Sequence, residues 1–445
     1  MMLRCMLLCL ALTGQLIISA QEKWDLQRCV DYAIKNNISV RQTDLQSRFS
    51  ELALKQSRAA QIPSFSFGAS GSNNFGLSDN PTTGILENNR FFSVGMQVQS
   101  QVTLFNWFAR KNTVKANEIT YEADRAQTEK IQNDIALNVA VAYLQVLLAR
   151  EQINVSAITV EQTKAQLERT QKQVDAGTLP DLNAAQLEAQ LALDSSSLIT
   201  SQASAQQFLL QLKALLNLDA GLPFDIATPP LDAIPVEPIA DLQPEAVYAS
   251  AVVNLPQQKV NELRIQSAEK SVRSARGSMH PTISAFGSMD TRSVHFPSTS
   301  PFPSDKVLTQ FRENFGQNIG LGLNIPIFNA RNARTAWERA KLNVKNLELT
   351  KEQGDMQLKQ DIYKAYTDAV AAIEKYNANK KGEQTAQKAY DYAMKRYDMG
   401  LLSTYELLNT QNSLQTARAQ AIYARYDYVF KMKLLEFYKG QGLKL

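Results

Sequence analysis

The sequence contains few of the residues from which catalytic and metal sites are usually built. Of its 445 residues, two are histidines and three are cysteines. Cys5 and Cys9 lie in the apolar N-terminal segment, so a processed chain keeps only Cys29, which excludes an internal disulfide and a site of several thiolates. We expect Cys29 to be a small apolar residue of the first helix, and His280 and His295 to be surface or interfacial residues. Neither a nucleophile elbow nor a glycine-rich phosphate loop is present. The sequence therefore predicts no catalytic residue, metal or cofactor, and no enzyme.

An excess of one charge and long hydrophobic runs are also lacking. The chain has 47 Lys+Arg against 43 Asp+Glu, and charged residues make up 20% of it. A charge difference this small and evenly spread argues against nucleic acid as a partner. After the N-terminal segment no run of 18 consecutive apolar residues occurs, so the sequence predicts no membrane-anchoring helix.

The N-terminus has the pattern of an export signal. Arg4 is followed by a short apolar run from Cys5 to Leu12, and small residues end the segment near Ala20. This order of charge, apolar run and small residues predicts a signal peptide over 1–20. The apolar run is too short to span a membrane. We therefore expect the chain to be exported.

The remaining sequence consists of two copies of one unit. Leu104-Phe105-Asn106 matches Ile327-Phe328-Asn329, and Asp175-Ala176-Gly177 matches Asp398-Met399-Gly400 at the same spacing of 223 residues. Pro63 matches Pro281 at a spacing of 218 residues, so the difference of five residues belongs to a loop between the two sets of matches. The domain organisation follows from these matches: a first repeat over 21–221, an irregular Pro-rich connector over 222–242, a second repeat over 243–440, and a tail over 441–445.

Each copy predicts the same order of elements. A helix of about 38 residues comes first, over 24–61 and 243–279. Two strands joined by a Gly/Asn/Ser/Pro-rich loop follow, then a helical stretch of about 70 residues and a returning one of about 40. At 1.5 Å per residue the long stretch would span about 105 Å, more than a globular domain. The strands are predicted at about 62–73, 91–105, 281–292 and 312–328, with loops over 74–90 and 293–311.

The predicted strands alternate between apolar and polar residues. Val94, Met96, Val98, Val102 and Leu104 form one series, and Ile319, Leu321, Leu323, Ile325 and Ile327 form the other. Such alternation most often indicates a half-buried soluble sheet. Here the strands have about the length that spans a membrane, aromatic residues gather at their ends, and the chain is exported. An open sheet edge cannot lie in lipid, and four strands are fewer than the roughly eight that a closed barrel needs, so the barrel must be shared among identical chains.

With these features the sequence resembles the TolC-like family of outer-membrane efflux proteins over about 24–440. The resemblance is carried by the duplicated unit, by the strand entries Pro63 and Pro281, and by the two turns that end at Gly177 and Gly400. It implies a mostly α fold with a membrane β-barrel: a homotrimer whose 12-stranded barrel lies in outer-membrane lipid above a long α-helical periplasmic barrel. It also implies a passive duct for small molecules or drugs, driven by an inner-membrane pump through a periplasmic adaptor.

The resemblance also implies two sets of site residues. Gly177, Leu179, Gly400, Leu401 and Leu402 correspond to the tip that docks the adaptor. Glu406, Asn409 and Tyr397 correspond to the pore constriction. Asn409 replaces a second acidic residue of the family, while Leu402 and Asn183 replace the arginine and the acid of its closed-state network. From the residues alone, the turns are equally well explained as simple helical hairpins, and Glu406 is better explained as a solvated helix residue.

Other functions remain open at this point. The same architecture serves type I protein secretion and metal-ion efflux, and the sequence does not choose among these substrates. An exported coiled-coil structural or adhesion protein is a rival of another class, and it predicts no membrane strands. A periplasmic hydrolase is argued against by the lack of a catalytic constellation.

Overall fold

A computed structural model describes residues 23–79, 84–228, 236–296 and 304–440. The predicted signal peptide over 1–20 and the tail over 441–445 lie outside the described residues. The chain divides into two compact units. The helical unit contains Met1–Asp44, Gln127–Gln258 and Gly354–Leu445, and the sheet unit contains Leu45–Ala126 and Lys259–Gln353.

The two copies have matching elements. The first copy consists of α1 (Leu26–Asn36), α2 (Ile38–Ala59), β1 (Ser64–Asp79), β2 (Leu86–Phe105), α3 (Ala109–Asp175) and α4 (Asp181–Leu215). The second consists of α5 (Pro244–Asn254), α6 (Pro256–Gly277), β3 (Thr282–His295), α7 (Val307–Glu313), β4 (Gly316–Asn324), α8 (Asn332–Asp398) and α9 (Thr404–Tyr438). The long helices have 67 residues each and the returning helices 35 each, close to the predicted lengths.

The predicted single helices over 24–61 and 243–279 are each broken once, at equivalent positions. Asn37 has an extended backbone and separates α1 from α2. Its side-chain oxygen accepts from the Ser39 N–H at 2.9 Å, so it caps α2, and this capping competes with a continuous helix. Leu255 separates α5 from α6 in the same extended conformation, which the following Pro256 favours.

Two apolar clusters hold the helical unit together. One packs α1 against the middle of α3 and the end of α4, around Cys29, Tyr143 and Leu212. The other packs α5 against α8 and the end of α9, around Val247, Ile362 and Leu435. By length and composition one described helix, α3, could cross a membrane. Its apolar residues from Ile135 to Leu147 belong to the first cluster, so core packing accounts for that composition.

The connector predicted over 222–242 is irregular, but it is fixed to the helical unit at both described ends. Trp24 and Ile226 form a parallel β-bridge, and Arg150 pairs with Asp225. Near the other end, a 3₁₀ turn covers Ile239–Leu242. The Glu237 N–H donates to the buried Glu436 carboxylate at 3.0 Å.

The sheet unit contains one antiparallel sheet with the order β1-β2-β3-β4. Both predicted hairpins form, and β2 joins the two copies by pairing with β3. One end of the sheet is formed by the start of β1, the end of β2, the start of β3 and the end of β4. These four termini lie together because Ser64 pairs with Gln101, Phe105 with Ile283, and Thr282 with Asn324. At the flanks of the sheet, β1 and β4 each have a neighbouring strand on one side only among the residues that the structure describes.

Two strand predictions need correction. The loop predicted over 74–90 is mostly strand, because β1 continues to Asp79 and β2 begins at Leu86. The Ser, Asn and Gly residues in this range predicted a turn. The hydrogen bonds between β1 and β2, however, use backbone N–H and C=O groups, which each of these residues supplies. The strand predicted over 312–328 is also wrong at both ends. At its start, α7 extends to Glu313. At its end, β4 stops at Asn324, because Pro326 two residues later has no amide hydrogen to donate to the sheet.

Helix α7 replaces the missing part of β4. The Gln310 side chain donates to the Val294 carbonyl at 2.9 Å and accepts from its N–H at 2.8 Å, as a neighbouring strand would do. Asn314 donates to the Arg292 carbonyl at 2.7 Å. Beyond Asp290, where β4 no longer pairs with β3, backbone groups of β3 are therefore satisfied by side chains rather than by a strand, which sequence periodicity does not reveal.

Candidate functional site

The long helices end in the same hydrogen-bonded turn. Gly177 and Gly400 have positive φ values of 74° and 72°, a backbone region that only glycine enters without strain. The Gly177 N–H donates to Val174 O at 2.8 Å and the Thr178 N–H to Gln173 O at 2.9 Å. The Gly400 turn repeats these two bonds in the second copy. Both turns are Schellman motifs, which satisfy the last carbonyls of a helix.

The two returning helices begin differently. Thr178 donates its hydroxyl to Gln173 O at 2.7 Å and so closes α3, while Pro180 stands at the N-cap of α4. Ser403 caps α9 by accepting from the Glu406 N–H at 3.3 Å, and the Glu406 carboxylate accepts from the Ser403 N–H at 3.2 Å. This reciprocal capping box gives Glu406 a local structural role.

Tyr397 lies at the centre of a small buried cluster beside the Gly400 turn. The cluster also contains Tyr390, Ala393, Leu407 and Leu414. Its hydroxyl is 3.1 Å from the Thr170 hydroxyl of α3 and 3.2 Å from the Thr404 hydroxyl of α9, both within hydrogen-bond distance. Tyr397 therefore connects the helical hairpin of one copy to that of the other.

Both turns contribute to one pocket of about 560 Å³, which is lined by Leu179 and Asn183 from the first copy and by Tyr397, Gly400, Leu401 and Leu402 from the second. Leu402 is partly buried against the Tyr397 cluster, whereas Leu401 is 64% exposed. Glu406 and Asn409 are exposed on the first turns of α9 and do not line this pocket. The five tip residues thus divide into packed and exposed members.

A buried polar seam on α3 was not foreseen from the sequence. Ser156, Thr159, Thr163, Gln166 and Thr170 are all buried, at alternating spacings of three and four residues. Thr163 donates to Asp194 of α4 at 2.7 Å and accepts from Gln411 of α9 at 2.7 Å. The heptad spacing of these polar residues was the available signal, but periodicity analysis counts apolar positions only.

The sheet exposes one apolar and one polar face, as the alternation predicts. Directly paired residues share a face, so Phe67 lies beside Val98 and Ala285 beside Leu321. Ile319 on this face is 89% exposed. The other face presents Ser66, Gln97, Gln99, Ser288 and Asn318, together with Phe286, whose ring lies against Gly320. An exposed apolar face of this extent requires a covering partner or lipid.

The residues considered for other chemistry are far from forming a site. Cys29 is fully buried, and burial raises the pKa of its thiol to about 12, so it is an inert apolar residue as predicted. The His280 ring lies beside the Trp107 ring, with centroids 4.8 Å apart and planes tilted by 36°, and His295 pairs with Phe92 in the sheet. In the described ranges no group of three His, Cys, Asp or Glu residues could hold a metal ion.

Known proteins are similar to this chain in sequence and in fold. Outer membrane efflux protein BepC of Brucella suis is 23% identical over 421 residues, covering 94% of this chain and 85% of that protein. Toxin and drug export protein A of Aggregatibacter actinomycetemcomitans is 22% identical over 412 residues, covering 91% of this chain and 83% of that protein. The solved structure of CusC aligns with a TM-score of 0.79 at 21% identity and covers 93% of this chain and 92% of that one.

The family model described as outer membrane efflux protein matches residues 29–218 and 247–438. The two matched segments are the two copies found in the sequence, and together they include most of the chain. The chain belongs to the outer membrane efflux protein family.

Proposed function

We propose that three copies of this outer-membrane efflux protein close a 12-stranded barrel, in which β4 of one chain pairs with β1 of the next. One observation carries the proposal: among the described residues the sheet has two flanking strands without an outer neighbour, and its apolar face includes exposed residues on all four strands, such as Phe67, Val98, Met289 and Ile319. In lipid the unpaired backbone groups of β1 and β4 would cost several kcal/mol each, and closure removes that cost. Lipid then covers the apolar face, and the polar face lines the lumen.

The assembled channel is a passive duct for small molecules such as drugs. Its helical unit extends into the periplasm, where an adaptor protein connects it to an inner-membrane pump that supplies the energy. Family membership supports this function, as does the similarity to toxin and drug export protein A of Aggregatibacter actinomycetemcomitans.

The adaptor docks at the turns that end α3 and α8. Met399 and Leu401 are each 64% exposed there, and exposed apolar residues at a turn gain stability when a partner covers them. Gly177 and Gly400 set the shape of this rim. Leu179 and Leu402 contribute less to docking, because both are partly buried and Leu402 packs against the Tyr397 cluster.

Glu406 and Asn409 form the constriction, with Tyr397 holding the turn behind them. Both side chains are exposed at the start of α9, so a three-fold assembly would bring three carboxylates and three amides around one axis. A narrow ring of carboxylates in a low-dielectric pore favours cations.

A photo-crosslinking amino acid at position 401 tests the docking site in cells. We expect it to capture a periplasmic adaptor of the membrane-fusion class, identified by mass spectrometry. Ser196, exposed in the middle of α4, is the matched control position and should not capture it. Capture from position 196 but not 401 would contradict the docking site.

Protein secretion is the second candidate, because that same relative exports a toxin as well as drugs. Deletion of the gene separates the two. Greater sensitivity to antibiotics and dyes supports drug efflux, whereas loss of a secreted protein with unchanged drug sensitivity supports type I secretion. Greater sensitivity to metal ions alone would favour metal-ion efflux.

A further inference from the structure

Positive charge in the sheet unit is concentrated at one end of the sheet, where β1 and β3 start and β2 and β4 stop. Four segments of twelve residues adjoin the strand termini at this end of the sheet, two from each copy and at equivalent positions: 52–63, 106–117, 270–281 and 329–340. They contain eleven Lys and Arg residues and a single acidic residue, Glu338. The described segments 72–79, 84–93, 288–296 and 304–317, toward the opposite end of the sheet, contain five acidic and four basic residues. We call the eleven Lys and Arg residues at the first end of the sheet the basic collar. Their excess over acidic residues is local, because the opposite end of the sheet has no such excess.

Most of the basic collar has no acidic partner within the part of the chain that the structure describes. Arg58 and Lys115 share Glu118, Lys55 pairs with Glu51, and Arg334 pairs with Glu338. Arg110 donates to a carbonyl, that of Ala60, at 2.6 Å. Lys111, Arg273, Arg276, Arg331 and Arg339 are exposed, and no ion pair forms with them. The collar segments of neighbouring copies would add further positive charge, since each copy has the same eleven Lys and Arg residues there.

An apolar belt separates the basic collar from the strands. Ile62, Trp107, Phe108, Ile327 and Phe328 all lie between a strand end and the nearest collar residues, and Phe328 is 85% exposed. Aromatic residues followed by Lys and Arg are the arrangement that meets a membrane interface, with the rings at headgroup level and the charges beyond them. The order along the chain thus matches the depth profile of a bilayer surface.

We propose that the basic collar binds the phosphate groups of anionic glycerophospholipids in the periplasmic leaflet of the outer membrane. The proposal rests on the sheet being the membrane part of the channel. Charge complementarity favours this occupant: a ring of eleven positive residues per chain beside an interfacial belt faces the leaflet surface, where anionic headgroups concentrate. Bound lipid would hold the channel at a fixed height in the membrane.

Tryptophan quenching by brominated lipids measures this binding directly. In a Trp24→Phe/Trp337→Phe background Trp107 is the sole tryptophan. It lies close to the end of α6, which carries Arg273 and Arg276, because a Cβ added at Gly277 would be 2.9 Å from Trp107 O. The full chain is reconstituted in phosphatidylcholine vesicles containing brominated phosphatidylglycerol or brominated phosphatidylcholine. We expect phosphatidylglycerol to be preferred about fivefold at low salt, and the preference to fall at 0.5 M salt.

The variant Lys111→Gln/Arg273→Gln/Arg276→Gln should lower the preference to about one. Lys111→Arg/Arg273→Lys/Arg276→Lys keeps the charge and should keep the preference, which guards against a folding defect. Lys164→Gln/Lys381→Gln/Lys388→Gln removes the same charge from exposed positions of the helical unit and should also keep it.

Three results would overturn the proposal. They are equal binding of both lipids by the wild-type chain, an unchanged preference in the collar variant, and an equal loss in the helical-unit control. A collar variant that changes the ion selectivity of the channel but not the lipid preference would place these side chains in the lumen. Trimer formation is recorded alongside, so failure of the collar and failure of the barrel are distinguishable.

Discussion

At the residue scale, Glu406 combines two roles that one substitution can separate. Its carboxylate caps α9 through Ser403, and it is exposed at the proposed constriction. Glutamine retains the side-chain oxygen that accepts from the Ser403 N–H and removes only the charge. Alanine removes both.

We therefore expect Glu406→Gln to assemble normally and to lower the cation preference of the channel, since a three-fold ring loses three charges. Reversal potentials in planar bilayers under a salt gradient measure this preference. Glu406→Ala should show the same loss and in addition destabilise α9 by about 1 kcal/mol. An unchanged reversal potential in Glu406→Gln would reduce the residue to its capping role.

Tyr397 offers a second residue-scale prediction. Tyr397→Phe leaves the buried Thr170 and Thr404 hydroxyls without this partner, which should cost about 1–3 kcal/mol of local stability. Hydrogen exchange of backbone amides over 393–407 should become faster, while exchange in the sheet unit stays the same. Tyr392→Phe is the matched control, because Tyr392 is 68% exposed. Equal exchange in the two variants would show that the cluster is held by apolar packing alone.

At the scale of elements, the strands and the turns carry the channel's two interfaces. Each strand presents alternate residues to opposite faces, so one substitution tests one face. Leu321 and Asn318 are three residues apart near the middle of β4 and point to opposite sides of the sheet.

Leu321→Arg should impair membrane assembly, because a charge on the lipid face near the bilayer midplane costs about 2–4 kcal/mol. Asn318→Arg, on the polar face, should be tolerated. The yield of heat-modifiable protein in outer-membrane fractions measures the effect. If Asn318→Arg blocks assembly and Leu321→Arg does not, the lipid and lumen faces are reversed.

For the turn after α8, Leu401 separates docking from packing better than Leu402 does. Leu401→Asp should weaken adaptor binding in a pull-down with the cross-linked adaptor and leave the Tyr397 cluster intact, since Leu401 is mostly exposed. Leu402→Asp buries an unpaired charge beside that cluster and should loosen the tip itself. Normal efflux and adaptor binding in Leu401→Asp would leave the Gly400 turn as a simple hairpin.

At the scale of the whole molecule, closure of the sheet determines the oligomeric state. The four-stranded sheet has two strands without an outer neighbour, and the monomer leaves its apolar face uncovered. The chain extracted in detergent should therefore be a homotrimer that keeps its β signal up to a cooperative transition on heating. Mass measurement by light scattering, corrected for detergent, checks this. A monodisperse monomer with full β content would contradict the shared barrel.

The sequence by itself determined the duplication, the element order and the faces of the strands. These properties are local or periodic: Gly177 and Gly400 end their helices because of backbone sterics, and alternation sets the face of each strand residue whatever its partner. The family also followed from the sequence, since the matched turns and strand entries lie along the chain at fixed spacing.

Only the tertiary structure decided which distant groups meet. The side chain of Gln310 replaces a strand beside Val294, Tyr397 reaches Thr170 of the other copy, and Thr163 lies between Asp194 and Gln411. Each depends on the packing of elements far apart in sequence, where hydrogen-bond geometry within a few tenths of an ångström selects the partner. For the same reason the loop over 74–90 was mispredicted: its residues favour turns locally, but pairing with the opposite strand stabilises an extended backbone.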